Sequence, residues 1–496
     1  MRLPCSRPLF LLAVSRAFSA LLILTSATYA DDAPTRPNVL FLVADDLNCD
    51  LSCYGHPLVK SPHIDALAAR GVRFAQAYCQ YPLCSPSRSS FLTGRRPNEN
   101  GVLSNPGRFR PDLEYGGTPH FRETIPDTVT LPQLFRNNGY FVARIGKLYH
   151  YGVPRQIGTD GFDDPPSWEM TVNPSGRDKA EEHRTFTLVP GQYGGTLSWL
   201  ATDGTDEEHT DGLAATSAIS FLEEFAQGRV AGEPSDKPFF LAVGFYRPHT
   251  PYVAPRHWFS HYPPSSISLP ELSEDDRTRT PAAAYRSSKS QQESMSDELR
   301  REAIQAYYAS IAHMDAQVGR VIEAVDRLGF AENTVIVMTS DHGYHMYEHG
   351  LWQKMSLFEN SARVPLIIAA PGAAGNGAST EALAELVDLY PTLATACGLE
   401  TPEYVDGVPL QPVLDDPTAT VKEAAFTQVN RGRRRGDGYS VRTARFRYTL
   451  WNDGEEGEQL YDLQADPGET TNLADAAEHA EVVARLKQQV REYAGW

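Results

Sequence analysis

Five apolar runs punctuate the chain, and four of them stop at a carboxylate, a lysine or a histidine. They are "NVLFLVADD" (residues 38–46), "YFVARIG" (140–146), "KPFFLAVGFYRPH" (237–249), "TVIVMTSDHG" (334–343) and "VPLIIAAPG" (364–372). Each is short, rich in β-branched or aromatic residues, and lacks the polar alternation of a half-exposed strand. That pattern predicts strands buried on both faces, as in a parallel sheet. Between them the period changes to the helical one. "SPHIDALAARG" (61–71) places Ile64, Leu67 and Ala68 on one face and ends at Gly71. "PQLFRNNG" (132–139), "TDGLAATSAISFLEEFA" (210–226), residues 296–328 and "ALAELVDLYPTLATACG" (382–398) also read as helices. Alternating strands and helices predict an α/β fold with a mostly parallel central sheet covered on both faces.

Two segments break this rhythm. Residues 263–291 are rich in Ser, Pro and charge and read as a long surface loop. Beyond residue 418, "GYSVRTARFRYTLW" (438–451) alternates as an antiparallel hairpin. It is followed by "EQLYDLQADPGETTNLAD" and a final helix. The expected organisation is therefore a catalytic α/β domain over residues 31–418 and a smaller C-terminal α+β domain with an antiparallel sheet over residues 419–496. Residues 1–30 read as a signal peptide. Arg2, Arg7 and Arg16 precede or interrupt an apolar stretch, and small residues lead up to a cut near Ala30. Export to a bacterial periplasm or the extracellular space follows, with no stable membrane insertion, since no other stretch is long enough to span a bilayer.

Charge and cysteine usage narrow the function classes. The formal charge of −18 argues against broad nucleic-acid binding, which needs a basic surface. Removal of Cys5 with the leader leaves Cys49, Cys53, Cys79, Cys84 and Cys397. An odd number in an exported chain leaves at least one thiol unpaired or chemically special. The pairing of the others is open.

The chemistry collects at the carboxyl ends of the expected strands, where open α/β sheets bind ligands. Asp45 and Asp46 end the first run, Lys147 and His150 follow the second, His249 ends the third, and Asp341 and His342 end the fourth. Taken singly, each has an ordinary reading as a helix cap, a surface lysine or a turn histidine. His342, His345 and His349 could also form a zinc cluster, though Gly343 and Gly350 disfavour a settled helix there. Taken together, three carboxylates offer hard oxygen ligands suited to calcium or magnesium. Lys147, Lys354, His150 and His249 add cationic or proton-donating groups. A divalent cation with a cationic clamp suits a sulfate or phosphate ester, whose non-bridging and leaving oxygens gain charge during cleavage.

"CSPSR" followed by "SSFLTGRRP" resembles the type I sulfatase signature, Cys-x-Pro-x-Arg with a downstream Thr-Gly-Arg. "ADD", "GKLYH", "RPHTPY", "TSDHG", "EHGLWQK" and "VPLI" follow in that family's order. The "CYGHPLVKSPHIDALAARG" stretch and "GYSVRTARFRYTLW" are most similar to the iduronate-2-sulfatase branch. The resemblance spans nearly the whole mature chain. It implies an alkaline-phosphatase-like sandwich and hydrolysis of a sulfated sugar or polysaccharide. It implies that a separate maturation enzyme oxidises Cys84 to formylglycine, whose hydrate attacks sulfur. It further implies one calcium ion held by Asp45, Asp46, Asp341, His342 and residue 84. Arg88 and Lys147 would steady the formylglycine. His150 would be the base for release of sulfate. His249 and Lys354 would bind sulfate and protonate the leaving oxygen. Two other functions share these residues: a phosphonate or phosphodiester hydrolase of the same superfamily, and a non-catalytic binder of sulfated glycans that keeps Cys84 as a thiol. The basic "RGRRRG" (431–436) is either a solvated loop or a subsite for an anionic sugar chain.

Overall fold

Strand β1 (Asn38–Asp45) buries all eight of its residues, as its unbroken apolar run requires. Leu40, Leu42 and Ala44 point into one core while Val39, Phe41 and Val43 point into another, the period-2 signature of a sheet packed on both faces. In the computed structural model, which describes residues 36–106, 120–431 and 436–496, β1 is central to an eight-stranded sheet. The other strands are β2 (Val72–Tyr78), β3 (Phe141–Gly146), β4 (Met170–Val172), β5 (Phe239–Pro248), β6 (Thr334–Ser340), β7 (Arg363–Ala369) and β8 (Ser379–Glu385). The order is β8-β2-β7-β6-β1-β5-β3-β4. Strand β1 pairs in parallel with both β6 and β5, and β3 continues the parallel set. Only β7 opposes its neighbours, β6 and β2. The expectation of a mostly parallel sheet holds.

Helices cover both faces. On the Leu40 side lie α1 (Pro62–Ala68), α4 (Thr210–Ala226) and the 31-residue α5 (Asp297–Arg327). On the Val39 side lie α2 (Cys84–Thr93), α3 (Leu131–Asn137) and α6 (Leu389–Ala396). Helix α5 begins where Ser296 accepts a hydrogen bond from the Leu299 N–H, an N-cap that fixes the boundary expected from sequence. The C-terminal part carries a four-stranded antiparallel sheet of β9 (Ala425–Val429), β10 (Gly438–Arg442), β11 (Phe446–Trp451) and β12 (Glu458–Asp462). Helix α7 (Ala480–Ala494) presses Leu486 and Val490 onto Tyr448, Leu450 and Leu460 of that sheet. The expected hairpin is β10 and β11.

Three expectations need correction. The helix expected over residues 382–398 is a helix only from Leu389. Its first part is β8, which pairs in parallel with β2. A short apolar run satisfies either element, and here the open edge of β2 decided for the strand. Strand β2 itself escaped the sequence reading, because its "VRFAQAY" mixes charge with apolar residues. Residues 263–291 are not a plain surface loop. They fold into short helical turns, and Ala283 and Ala284 insert among Tyr81, Leu351, Phe358 and Trp451. The leader at residues 1–30 and three residues of the basic cluster, Arg433, Arg434 and Arg435, lie outside the described residues. Among the described residues no helix is long and apolar enough to cross a membrane.

Candidate active site

The carboxyl ends of β1, β3, β5 and β6 deliver their polar residues to one buried point. Asp46 adopts a left-handed backbone (φ 65°), a turn that lets both Asp45 and Asp46 face inward. Its carbonyl accepts the Tyr307 hydroxyl of α5 at 2.7 Å, and its N–H donates to Asp341 Oδ1 at 3.1 Å. The β1 and β6 ends are thus locked together. Across the sheet end, α2 starts at Cys84 itself, with Pro86 in its first turn. The Ser85 N–H donates to Asn105 Oδ1 at 2.9 Å, and Ser87 Oγ donates to the Asp341 carbonyl.

Arg88 is fully buried and organises the floor. Its Nε donates to Asp341 Oδ2 at 2.9 Å, and its Nη1 donates to the carbonyls of Lys147 and Leu148 at 2.7 and 2.8 Å. Its Nη2 lies 3.4 Å from Asp45 Oδ1. Lys147 is ion-paired with Asp45, and Lys354 with Asp46. Lys354 Nζ also reaches Cys84 Sγ at 3.1 Å. His249 Nε2 lies 3.7 Å from Asp46 Oδ2. His342 Nε2 lies 3.2 Å from Asp46 Oδ1 and 3.6 Å from Asp341 Oδ1. His150 lies beside the Cys84 side chain. All ten residues singled out from the sequence therefore meet at one site.

The zinc cluster of three histidines does not form. His345 turns to Ser356 Oγ at 2.6 Å and His349 to Asp276 Oδ2 at 2.8 Å, so only His342 reaches the site. Left-handed Tyr347 and His349 break the helix that would have aligned them. Among the described residues, two overlapping groups have ligand atoms within 4.8 Å of one another: Asp45, Asp46, Cys84 and His249, and Asp45, Cys84, Asp341 and His342. The donor set fits a cation. Asp45 Oδ1, Asp46 Oδ2 and His342 Nε2 are buried with no hydrogen-bond partner. His342 Nδ1 faces the Gly343 carbonyl at 2.8 Å. A carbonyl only accepts, so Nδ1 carries a proton and Nε2 is turned toward the carboxylates, the orientation of a metal ligand. Three carboxylates and one imidazole suit a divalent cation.

The electrostatics single out Cys84. Burial alone would raise its pKa, yet Lys354 and Lys147, with His150 and His249 close by, hold it well below the ordinary thiol range. The other four thiols are free, and burial pushes them upward; Cys49 and Cys397 reach about 11. They are inert structural thiols, and Cys84 is the special one. Burial lowers His150, so that ring is neutral near pH 7 and able to accept a proton. Sequence reasoning missed Ser87, Tyr307 and Asn105. Ser87 lay within the quoted motif, but nothing in the sequence joins Tyr307 or Asn105 to it.

The sulfatase family model matches residues 37–399. The chain belongs to the sulfatase family. A second model, for the C-terminal part of N-sulphoglucosamine sulphohydrolase, matches residues 347–495 of this sulfatase. Iduronate 2-sulfatase of Mus musculus is 31% identical, over 94% of this chain and 95% of the relative. Among solved structures, the phosphonate monoester hydrolase of Agrobacterium radiobacter aligns with TM-score 0.74 at 25% identity, over 93% of this chain and 96% of that one. A structure described as a complex with D-glucosamine-2-N,6-O-disulfate aligns with TM-score 0.70 at 23% identity, over 92% and 97% of the two chains. Family membership makes the protein a sulfuric ester hydrolase, with the alkaline-phosphatase-like fold expected from its sequence.

Proposed function

We propose that this sulfatase removes sulfate from a sulfated sugar, in the manner of its iduronate-2-sulfatase relatives. The observation that carries this reading is the environment of residue 84. It stands at a helix N-terminus, in reach of Lys354, His150 and His249, above three carboxylates. Cys84 is read as the precursor of formylglycine, made by a separate maturation enzyme; the hydrated aldehyde supplies the nucleophilic oxygen. Asp45, Asp46, Asp341, His342 and residue 84 would hold one calcium ion, which supplies positive charge to a sulfuryl oxygen.

The chain's own groups do the rest. Lys354 and Lys147 place two cations beside residue 84, where charge develops on the sulfuryl oxygens. His249 Nδ1 faces the Thr250 carbonyl, so its Nε2 is turned toward the site and, when protonated, donates to the leaving oxygen. His150, neutral by burial, takes the proton that must leave residue 84 as sulfate departs. Arg88 donates from Nε to Asp341 and from Nη1 to two backbone carbonyls, with Nη2 3.4 Å from Asp45, so its part is to fix the floor. Residues 1–30 would direct export, 31–418 form the catalytic domain and 419–496 the C-terminal one.

The structural likeness to phosphonate monoester hydrolase supports a second reading, hydrolysis of a phosphonate or phosphodiester at the same site. Rates on a matched aryl sulfate and aryl phosphonate separate the two; faster phosphonate turnover overturns the sulfatase assignment for the natural substrate. Mass spectrometry of the peptide containing residue 84 completes the test. Aldehyde mass is expected, whereas an intact thiol in natively produced protein favours a glycan-binding role.

A further inference from the structure

Lysines that fold partly or wholly out of water need a counter-ion, because a desolvated ammonium without one is costly. This chain follows the rule at Lys147 with Asp45, Lys354 with Asp46, Lys422 with Glu385 and Asp388, Lys179 with Glu182, and Lys487 with Glu458. Lys289 departs from it. Its Nζ donates to the Gly195 carbonyl at 2.6 Å and to Gln353 Oε1 at 2.5 Å, both neutral acceptors. Among the described residues no carboxylate pairs with it.

Its place explains what the missing anion would be. Gln353 immediately precedes Lys354, and Gln292 Nε2 braces the same Gln353 oxygen at 3.0 Å. Gly195 immediately precedes Thr196, whose carbonyl accepts the Thr250 hydroxyl at 3.1 Å, next to His249. Lys289 therefore bridges the segments that carry Lys354 and His249, the two groups assigned to the sulfate. It also joins residues 188–197 to residues 263–291. Its charge is felt there: burial first, then repulsion from Lys354, lowers its pKa to about 8 against attraction from Asp46. An ammonium has three donors, and two are engaged, which leaves one N–H for a ligand.

We propose that Lys289 recognises a second anionic group on the sugar that carries the scissile sulfate, so that the site selects doubly charged sugars over simple sulfate esters. The inference rests on the sulfatase reading above and deepens it. The shared chemistry is an anionic oxygen group, a ring carboxylate or a second sulfate.

The test uses the full-length mature enzyme and Lys289→Met, with three substrates: an aryl sulfate, a disaccharide with a 2-O-sulfated uronate, and a disulfated hexosamine lacking a carboxylate. Loss of one charge-assisted hydrogen bond predicts a fall in kcat/KM of about 10–100-fold on one or both doubly charged sugars, mostly through KM. Which sugar loses more identifies the anion as carboxylate or sulfate. The aryl sulfate should change by less than about twofold, and Lys289→Arg should recover part of the loss. In the native enzyme the preference for the doubly charged sugar should decline as pH rises through about 8. An equal loss on all three substrates, the signature of a merely structural bridge, overturns the proposal, as does no loss on either sugar. Turnover of the aryl sulfate by the native enzyme checks the underlying sulfatase reading separately. Were it absent, calorimetric affinity of native and K289M protein for the two sugars still decides the role of Lys289.

Discussion

Replacing Lys354 by methionine removes one cation from the centre of the site while keeping the length of the side chain. The structure sets the size of the effect. Lys354 Nζ lies 3.1 Å from Cys84 Sγ, and the side chain is only 12% exposed, so salt screens it weakly. At an effective dielectric of about 20, two unit charges about 4 Å apart interact by roughly 4 kcal/mol. Removing one preorganised donor from an oxyanion site costs about 2.7–4 kcal/mol, or roughly 10²–10³ in kcat. The two routes agree. Asp46 adds to the loss, since its carboxylate loses a partner and then repels the incoming sulfate. The assay is kcat/KM on an aryl sulfate at low and high salt, with the thermal midpoint as a check on folding. The expected loss is at least about a hundredfold and nearly independent of salt, and Lys354→Arg should not restore it, because a planar guanidinium does not fit a point-charge site. A loss below about tenfold, or one that shrinks as salt is added, would refute the assignment of Lys354 to the reacting sulfate.

Three further outcomes follow from the buried charges. Removal of divalent cations by a chelator should lower both activity and thermal midpoint, since Asp45, Asp46 and Asp341 are left crowded together; calcium should restore both better than zinc. Away from the site, burial opposes ionisation of Glu359, but Arg447, Arg442 and Arg363 outweigh it and hold the carboxyl down at about 2. A folded pKa below the unfolded one means stability that is full above about pH 4.5 and lost as pH falls through about 2. Glu359→Gln should therefore lower the denaturation midpoint at pH 7 and change it little near pH 2. Equal shifts at both values would sink this account. Arg447→Met, which removes the cation shared by buried Glu359 and Glu469, should cost about 3–5 kcal/mol in the same measurement.

Much of the site was legible because the chemistry sits where the pattern changes. Four of the five apolar runs end within a few residues of a group that now lines the site, and the parallel pairing of β1, β5, β6 and β3 brings those ends to one edge. What remained illegible depended on partners far apart in the chain. Strand β8 read as helix because its apolar residues suit either period; pairing with β2 decided it. Residues 263–291 read as loop because Ser, Pro and charge dominate locally, yet Ala283 and Ala284 found an apolar cluster made largely by other segments.

The sequence alone determined the kind of chemistry: which side chains end which strands, and that hard oxygen donors outnumber soft ones. These are local properties, carried by residue type and spacing. Only the tertiary structure decided which of three nearby histidines joins the carboxylates, how Arg88 is held in the floor, and that Lys289 bridges the His249 and Lys354 segments with no carboxylate paired to it among the described residues. Those outcomes turn on which polar atoms find partners once water is excluded. Hydrogen bonding is short-ranged and directional, so it is settled by packing between distant segments rather than by spacing within one.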